Sequence, residues 1–267
     1  MHSPDSPSAS STPALEAVRF AGLRIHPLDV DETVSVLAGR PTAEPFAPYV
    51  TPNVEFIFYQ SRSPALRRVF EACLVSTNDS RILHRLGKLA GLELKFAPGA
   101  YVAARLFEGA IRPDDPLAVI GATPEIVEDL RTRFGLTQVV QHVPPMGFIR
   151  DPAAVRAAVD FIAAHPSRFV FVAMGPPQSE ALCDAVMQDG RATGVGLCIG
   201  SSLQVMTGAI GAAPDWMETG GLVWLHRLAR EPGRLWKRYL VHDLYGVAVC
   251  LADAARLRLS PSRSRVA

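Results

Sequence analysis

The amino-acid sequence predicts an α/β fold, in which a mainly parallel sheet is flanked by helices and followed by a C-terminal helical appendage. Apolar runs that could be buried strands alternate with segments of helical periodicity, and these units repeat up to residue 199. This alternation is typical of layered α/β domains. Beyond residue 215 the pattern changes, because three tryptophans lie in a helical segment dense in arginine. That change predicts the appendage.

The chain divides into four predicted segments. A leader spans residues 1–14, the α/β core spans 15–214, the appendage spans 215–259 and a frayed end spans 260–267. The leader is rich in Ser and Pro and lacks an apolar run, so we expect it to be disordered and not a signal peptide. The 267 residues are 48% apolar, which is enough for a sizeable core.

The core elements follow from apolar runs and turn residues. Strands are predicted at residues 46–50, 74–77, 117–121, 139–143, 169–174 and 195–199. Helices are predicted at 54–60, 63–72, 152–164 and 178–189, and a further helix begins at Pro124 and ends at Gly135, because Pro favours helix starts and Gly favours helix ends. Open parallel sheets bind ligands beyond the carboxyl ends of their strands. We therefore expect the loops at 51–53, 78–80 and 175–180 to share one crevice.

Charge and cysteine usage limit the possible partners and compartment. The net charge is only +1, which gives no electrostatic case for nucleic acid. Residues 222–267 nevertheless carry nine basic and three acidic side chains. The absence of a run of roughly 18–20 apolar residues predicts that any membrane contact is peripheral, and the cysteine usage fits a cytoplasmic protein. The cysteines are far apart in apolar surroundings and are predicted to be buried, reduced thiols: Cys73, Cys183, Cys198 and Cys250.

Several short motifs occur in a fixed order along most of the chain. They are T-P-N at residues 51–53, Asp79 in a turn, G-P-P-Q-S-E at 175–180, G-A-I-G-A-A-P at 208–214, G-L-V-W-L-H-R-L at 221–228, E-P-G-R at 231–234 and R-Y at 238–239. Taken together, they resemble the WecG/TagA/CpsF family, glycosyltransferase family 26. Single tripeptides of this kind are weak signals, whereas the ordered set with its long tail motif is a strong one.

The resemblance implies a Rossmann-like core whose C-terminal appendage closes over a nucleotide. It also implies transfer of a sugar, of the N-acetylmannosamine type, a uronic acid or another hexose, from a UDP-sugar to a polyprenyl-diphosphate-linked saccharide. Assembly of a cell-surface polysaccharide would be the setting. We hypothesise an inverting, metal-independent hexosyltransferase without a cofactor that acts at the inner face of the cytoplasmic membrane.

Asp79 is the candidate general base, because attack by an acceptor hydroxyl needs a carboxylate within hydrogen-bond reach. By position alone, an aspartate after a strand is more often a helix cap or a turn residue. The resemblance favours the catalytic role. Thr51 and Asn53 could end a strand and cap the next helix, and a helix start can also bind polar or anionic groups.

Gln178 and Glu180 are candidate substrate-binding residues beside the third loop. Glu180 could equally complement the dipole of the helix that it begins. In the appendage, Arg227, Arg234 and Arg238 lie seven and four residues apart. They share a face if their helix is continuous, where they could bind a diphosphate or form a solvated basic surface.

The tryptophans of the appendage also have two interpretations. Trp216, Trp224 and Trp236 could be ordinary core residues, or they could belong to an arginine-fringed surface that lies on anionic lipid. No His, Cys or Asp-x-Asp spacing predicts a metal site. The sequence does not predict the oligomeric state, although uncovered Trp and Leu side chains would suit self-association.

The sequence departs from the family pattern at several polar positions. Phe96 and Tyr101 stand where arginine and aspartate are usual, Ser179 replaces a glutamine, Ala212 an arginine and Val223 a glutamate. The P-D-G turn becomes N-D-S at residues 78–80. These departures support an alternative, a catalytically impaired relative that binds nucleotide-sugars or lipid intermediates in assembly. An unrelated Rossmann oxidoreductase is disfavoured because no G-x-G-x-x-G follows an early strand.

Overall fold

The computed structural model describes residues 15–209, 215–220, 223–230, 232–259 and 265–266. The predicted leader and the stretch 210–214, which includes Ala212, lie outside these residues. The strands are β1 (Ala17–Phe20), β2 (Leu23–Ile25), β3 (Ala47–Val50), β4 (Val75–Ser76), β5 (Leu117–Gly121), β6 (Val139–His142), β7 (Phe169–Ala173), β8 (Val195–Cys198) and β9 (Arg265–Val266).

Helices cover most of the remaining described chain. They are α1 (Val30–Gly39), α2 (Val54–Arg62), α3 (Pro64–Ala72), α4 (Arg81–Leu89), α5 (Gly99–Gly109), α6 (Pro124–Phe134), α7 (Pro152–Ala164), α8 (Gln178–Asp189), α9 (Ser202–Met206), α10 (Asp215–Gly220), α11 (Val223–Arg230), α12 (Pro232–Lys237) and α13 (Leu244–Leu259). A 3₁₀ turn spans Phe148–Arg150, and a π-helical segment, Arg238–Asp243, joins α12 to α13.

Six parallel strands form the central sheet, in the order β4-β3-β8-β7-β5-β6. Every residue of β5, β7 and β8 is buried, as in parallel sheets covered by helices on both faces. Successive side chains enter two different hydrophobic clusters, since Ala118 and Ile120 belong to one and Val119 to the other. The predicted α/β, Rossmann-like fold class is confirmed.

Local signals set the ends of several helices. The Asp151 side chain accepts a hydrogen bond from the backbone N–H of Ala153 at 2.9 Å, and Pro152 follows at the first helical position of α7. Gly135 and Gly190 end α6 and α8 in the left-handed conformation, which glycine adopts without a steric penalty.

The strand order places a topological switch between β3 and β8. The chain leaves β3 toward β4 on one side, and it returns to the other side of β3 only with β8, the last strand of this sheet. Crevices form where the chain connections diverge in this way, at the carboxyl ends of the strands. The loops after β3, β4 and β8 are therefore the first place to look for a ligand site.

The C-terminal helix α13 packs against the core of the molecule. Cys250 and Ala254 are at most 4% exposed and belong to the same hydrophobic cluster as the residues of α2 and α4. An Asp253 carboxylate oxygen accepts a hydrogen bond from the backbone N–H of Ala21 at 2.8 Å. Within the end predicted to be frayed, β9 pairs antiparallel with β1, and the other residues from 260 onward lie outside the described part.

Two further sequence expectations concern compartment and membrane contact. The four cysteines are free and buried, as predicted. Across the described residues, no helix combines the length and the apolar character needed to cross a membrane.

Candidate active site

Backbone hydrogen bonds hold together the loops that follow β3 and β4. The N–H of Thr77 donates to the carbonyl of Val50, and the N–H of Asp79 donates to the carbonyl of Pro52, both at 3.0 Å. The Thr51 hydroxyl donates to the carbonyl of Cys198, at the end of β8, at 3.3 Å. The carboxyl ends of three neighbouring strands are thus joined in one place, as the sequence predicts for the first two loops.

Thr51 and Asn53 both have structural partners at this edge. Thr51 is 7% exposed. Asn53 is the N-cap of α2, and its side-chain oxygen accepts a hydrogen bond from the backbone N–H of Glu55 at 2.9 Å. The capping role considered for Asn53 is therefore confirmed. The remaining amide groups of this helix start lie just beyond the carboxyl end of β3, where they can bind polar or anionic groups.

Asp79 does not cap the helix that follows it. The N-cap of α4 is Ser80, whose hydroxyl accepts from the N–H of Leu83 at 3.2 Å, and the Asn78 side chain accepts from the N–H of Ser80 at 2.8 Å. Ser80 has a φ of −132°, a conformation open to any residue, so the loss of the family's glycine causes no strain here. The N-cap role considered for Asp79 is therefore filled by Ser80.

The charge of Asp79 acts on two neighbouring side chains. Burial raises the pKa of the Tyr49 hydroxyl; a hydrogen bond with Thr77 opposes that rise, and the Asp79 charge adds to it. Asp79 also helps to raise the pKa of Arg238. Two residues about 160 positions apart in the chain, one from the core and one from the appendage, are therefore within electrostatic reach of each other.

Arg238 forms an ion pair with Glu55, a residue that the sequence analysis missed. The Arg238 Nε and Glu55 Oε2 atoms are 2.9 Å apart, and Glu55 is 3% exposed. Burial on its own would lower the pKa of the guanidinium, but the charges of Glu55, Tyr239, Asp243 and Asp79 together raise it. Arg238 is therefore a charged, ion-paired side chain at the boundary between the core and the appendage.

Three more polar side chains surround Glu55. The Tyr59 hydroxyl donates to Glu55 Oε1 at 2.7 Å, and His242 Nδ1 lies 3.3 Å from the same oxygen. Burial raises the pKa of Asp243 to about 7; the Arg238 charge lowers it and the Glu55 charge raises it. Because Arg238, His242 and Asp243 all belong to the π-helical segment, Glu55 connects that segment to the start of α2.

Glu180 and Gln178 lie at the start of α8, on the third loop. Glu180 is only 1% exposed, and its Oε2 atom has no hydrogen-bond partner among the described residues. Burial, with a contribution from the Glu55 charge, raises the pKa of Glu180 to about 8. Contact with a substrate, as the sequence predicts, would require this carboxyl to become exposed. Gln178 is half-buried and remains a candidate for direct contact.

The elevated pKa of Glu180 predicts a pH-dependent stability. An unfolded chain releases this proton near pH 4.5, whereas the folded protein keeps it until about pH 8, so the free energy of unfolding falls as pH rises through this window. Glu180→Gln should remove that loss and be more stable than the unmutated protein at pH 8, by several kcal/mol at most, since one pKa unit corresponds to about 1.4 kcal/mol.

Denaturant unfolding at pH 5, 6.5 and 8 tests this expectation. The matched control is Glu125→Gln, a first-turn glutamate of α6 that is exposed and has a lowered pKa. Equal pH dependence in Glu180→Gln and the unmutated protein would contradict the buried, protonated state of Glu180.

The other predicted arginines and the departures from the family pattern are only partly described. Arg227 lies in α11 and Arg234 in α12, but their side chains, like that of Val223, lie outside the described part. The Arg81 guanidinium lies 4.5 Å from the ring centre of Phe96, and the Phe96 and Tyr101 rings are 6.4 Å apart. An aromatic pair capped by a cation therefore occupies the positions where the family has arginine and aspartate.

The fold defines an α/β protein with a parallel sheet, a class in which ligands bind beyond the carboxyl ends of the strands. Among the described residues, no group of three or more His, Cys, Asp and Glu side chains could hold a metal ion. Residues 18–260 match the model of the Glycosyl transferase WecG/TagA/CpsF family. The chain belongs to this family, whose members are glycosyltransferases of cell-surface polysaccharide synthesis that use a nucleotide-sugar donor and a lipid-linked acceptor.

Proposed function

We propose that this protein transfers a hexose from a UDP-sugar to a polyprenyl-diphosphate-linked saccharide. The observation that supports the proposal is that Asp79, in the loop after β4, lies within electrostatic reach of Arg238 in a chain of this glycosyltransferase family. A carboxylate beside a cation suits a reaction in which a hydroxyl loses a proton while a diphosphate leaves with its negative charge.

In the proposed reaction, the acceptor hydroxyl attacks the anomeric carbon of the donor sugar. A new C–O bond forms as the bond between that carbon and the UDP oxygen breaks, and Asp79 takes the hydroxyl proton. A single displacement of this kind inverts the anomeric configuration. Thr51, Asn53 and Gln178 contact the substrates at the edges of the crevice.

Arginine supplies the positive charge for the leaving group in this proposal. A planar guanidinium binds diphosphate oxygens in a bidentate manner, and Arg238 is held in place for that task by Glu55. Arg227 and Arg234 complete the diphosphate site from α11 and α12. The reaction therefore proceeds without a divalent metal.

Release of UDP tests the proposed function. The purified protein is incubated with a panel of UDP-sugars and a membrane lipid extract as acceptor, with and without EDTA. We expect acceptor-dependent UDP release that survives EDTA. Strict dependence on Mg²⁺ or Mn²⁺ would contradict the role of the arginines.

The same assay distinguishes the second candidate function, a family relative that binds these ligands without turnover. The buried Ser179 favours it, because its hydroxyl donates to the carbonyl of Met174 at 2.5 Å and so cannot replace a substrate-binding glutamine. UDP-sugar binding without any acceptor-dependent release would establish this alternative.

We further propose that the appendage contacts the inner face of the cytoplasmic membrane. Trp224 packs its ring 5.7 Å from that of Tyr239 and is partly buried. Leu235 is buried, but several large apolar side chains of this region are at least 43% exposed: Trp216, Leu225, Trp236, Leu240, Val241, Leu244 and Leu251. Exposed basic side chains, such as Arg230 and Lys237, lie among them. An apolar surface fringed by cations binds anionic lipid.

Sedimentation with vesicles that contain phosphatidylglycerol measures this contact. Each basic residue near an anionic surface contributes about 1 kcal/mol, so binding should be strong at low salt and weaken at high salt. Trp236→Ser/Leu240→Ser should bind more weakly, whereas Leu89→Ser, an exposed leucine of α4, should bind like the unmutated protein. Equal binding by all three proteins would exclude this surface.

A further inference from the structure

Glu55 is a buried carboxylate in the first turn of α2, directly after the loop that carries Thr51 and Asn53. A buried charge is costly unless it is paired. Its partners come from two places. Tyr59 belongs to the same helix, whereas Arg238 and His242 belong to the π-helical segment about 185 residues further along the chain.

The contacts of Glu55 divide between its two oxygen atoms. Oε1 accepts the hydrogen bond from the Tyr59 hydroxyl and lies near His242. Oε2 lies 2.9 Å from Arg238 Nε. This contact is an ion pair and not an aligned hydrogen bond, since neither atom has a hydrogen-bond partner among the described residues. It involves Nε, the guanidinium nitrogen closest to the main chain of Arg238. The terminal nitrogens lie beyond that contact, on the part of the planar group that can bind two oxygens of one ligand.

The position of the guanidinium also depends on the surroundings of Glu55. The His242 ring stacks on Phe58 with a centroid separation of 4.0 Å, so the segment that carries Arg238 is anchored to α2 at two points. The charge of Asp79 acts on Arg238, so this anchoring keeps the guanidinium within electrostatic reach of the proposed catalytic carboxylate.

We propose that Glu55 is a positioning residue that orients Arg238 for the diphosphate of the donor. This inference rests on the proposed function, because it takes Arg238 as the diphosphate ligand. An arginine on an exposed appendage would lose conformational freedom each time it bound a ligand. An arginine already fixed by a buried carboxylate avoids most of that loss, so the ligand binds more tightly.

The test uses the full-length chain and UDP as the probe. Glu55→Gln keeps the size of the side chain and an acceptor for Tyr59, but it removes the charge that holds Arg238. We expect UDP to bind about 10-fold more weakly or worse, as for the loss of a charge-assisted contact, in calorimetric titrations. Arg238→Ala should weaken binding at least as much, and the double variant should bind UDP no more weakly than Arg238→Ala alone.

Tyr59→Phe is the matched control, since it removes one hydrogen bond to Glu55 and leaves the ion pair in place. It should reduce the melting temperature while UDP affinity stays within about 3-fold of the unmutated value. If Glu55→Gln does not fold, Glu55→Asp replaces it, because the shorter side chain keeps the charge but withdraws it from Arg238. UDP affinity is expected to fall for Glu55→Asp as well.

The outcomes separate this inference from the proposed function. Weaker UDP binding by Arg238→Ala with unchanged binding by the Glu55 variant would overturn the positioning role alone. Unchanged UDP binding by Arg238→Ala would overturn the assignment of Arg238 itself. Additive losses in the double variant would show that Glu55 acts on UDP binding independently of Arg238, which also overturns the inference.

Discussion

Asp79→Asn is expected to lower turnover by about 10²–10⁴-fold, the usual range for loss of a general base. The asparagine keeps the shape of the side chain, but it cannot take the proton of the acceptor hydroxyl. The affinity for UDP should stay nearly unchanged, because the diphosphate is assigned to arginines and not to Asp79. A fall in kcat without a change in UDP affinity is the pattern of a group that acts in the transition state.

The measurements are initial rates of UDP release and titration with UDP, on proteins of verified melting temperature. Asp114→Asn is the matched control, since Asp114 is exposed and lies before β5, away from the carboxyl ends of the strands. Full activity in Asp79→Asn would contradict the assignment of Asp79 as the general base. A parallel loss of UDP affinity would instead indicate that Asp79 organises the donor site, for example through its effect on Arg238.

Local signals explain why parts of the fold could be predicted from the sequence. The bounds predicted for α7 and α8 agree with the structure, because Pro152 and Gly190 mark ends that depend only on neighbouring residues. The predicted bounds of the six strands of the sheet agree with the structure to within one residue at each end. Buried parallel strands are apolar on both faces, so they stand out as continuous runs.

Elements that depend on distant partners were missed. The β1–β2 hairpin pairs with β9, and the Asp253 carboxylate holds its turn at Ala21. Nothing near residue 20 in the sequence indicates these contacts. The helix α4 was also missed, although its pattern was readable, since the hydroxyl of Ser80 caps it and the apolar Leu83 and Leu86 are three residues apart on its buried side.

The candidate site shows the same division between local and distant information. Asp79, Thr51 and Asn53 could be proposed because they follow strands in short motifs that resemble those of the family. Glu55 could not, because a glutamate in the first turn of a helix ordinarily complements the helix dipole. Only the approach of the π-helical segment, which brings Arg238 and His242 to its side chain, distinguishes it from such a residue.

The second large effect is expected from Gly246→Ala, at the place where α13 crosses α2. A Cβ atom on Gly246 would overlap the carbonyl oxygen and the side chain of Val54. A backbone carbonyl cannot rotate away as a flexible side chain does, so the two helices must separate. Overpacking of this kind typically costs about 1–3 kcal/mol, and a chain of this size loses about 2–4 °C in melting temperature for each kcal/mol.

The loss should extend from stability to activity, because Val54 lies between Asn53 and Glu55, and displacement of α13 also moves the π-helical segment that precedes it. Gly233→Ala is the matched control, since an added Cβ there meets no atom within 4 Å. A Gly-to-Ala change at an open helical position is neutral or stabilising by up to about 1 kcal/mol. We therefore expect Gly246→Ala to unfold at lower temperature and to bind UDP more weakly, while Gly233→Ala does neither. Equal melting temperatures for the two variants would mean that α13 does not pack tightly on α2. The packing of α13 could then not contribute to the position of Arg238.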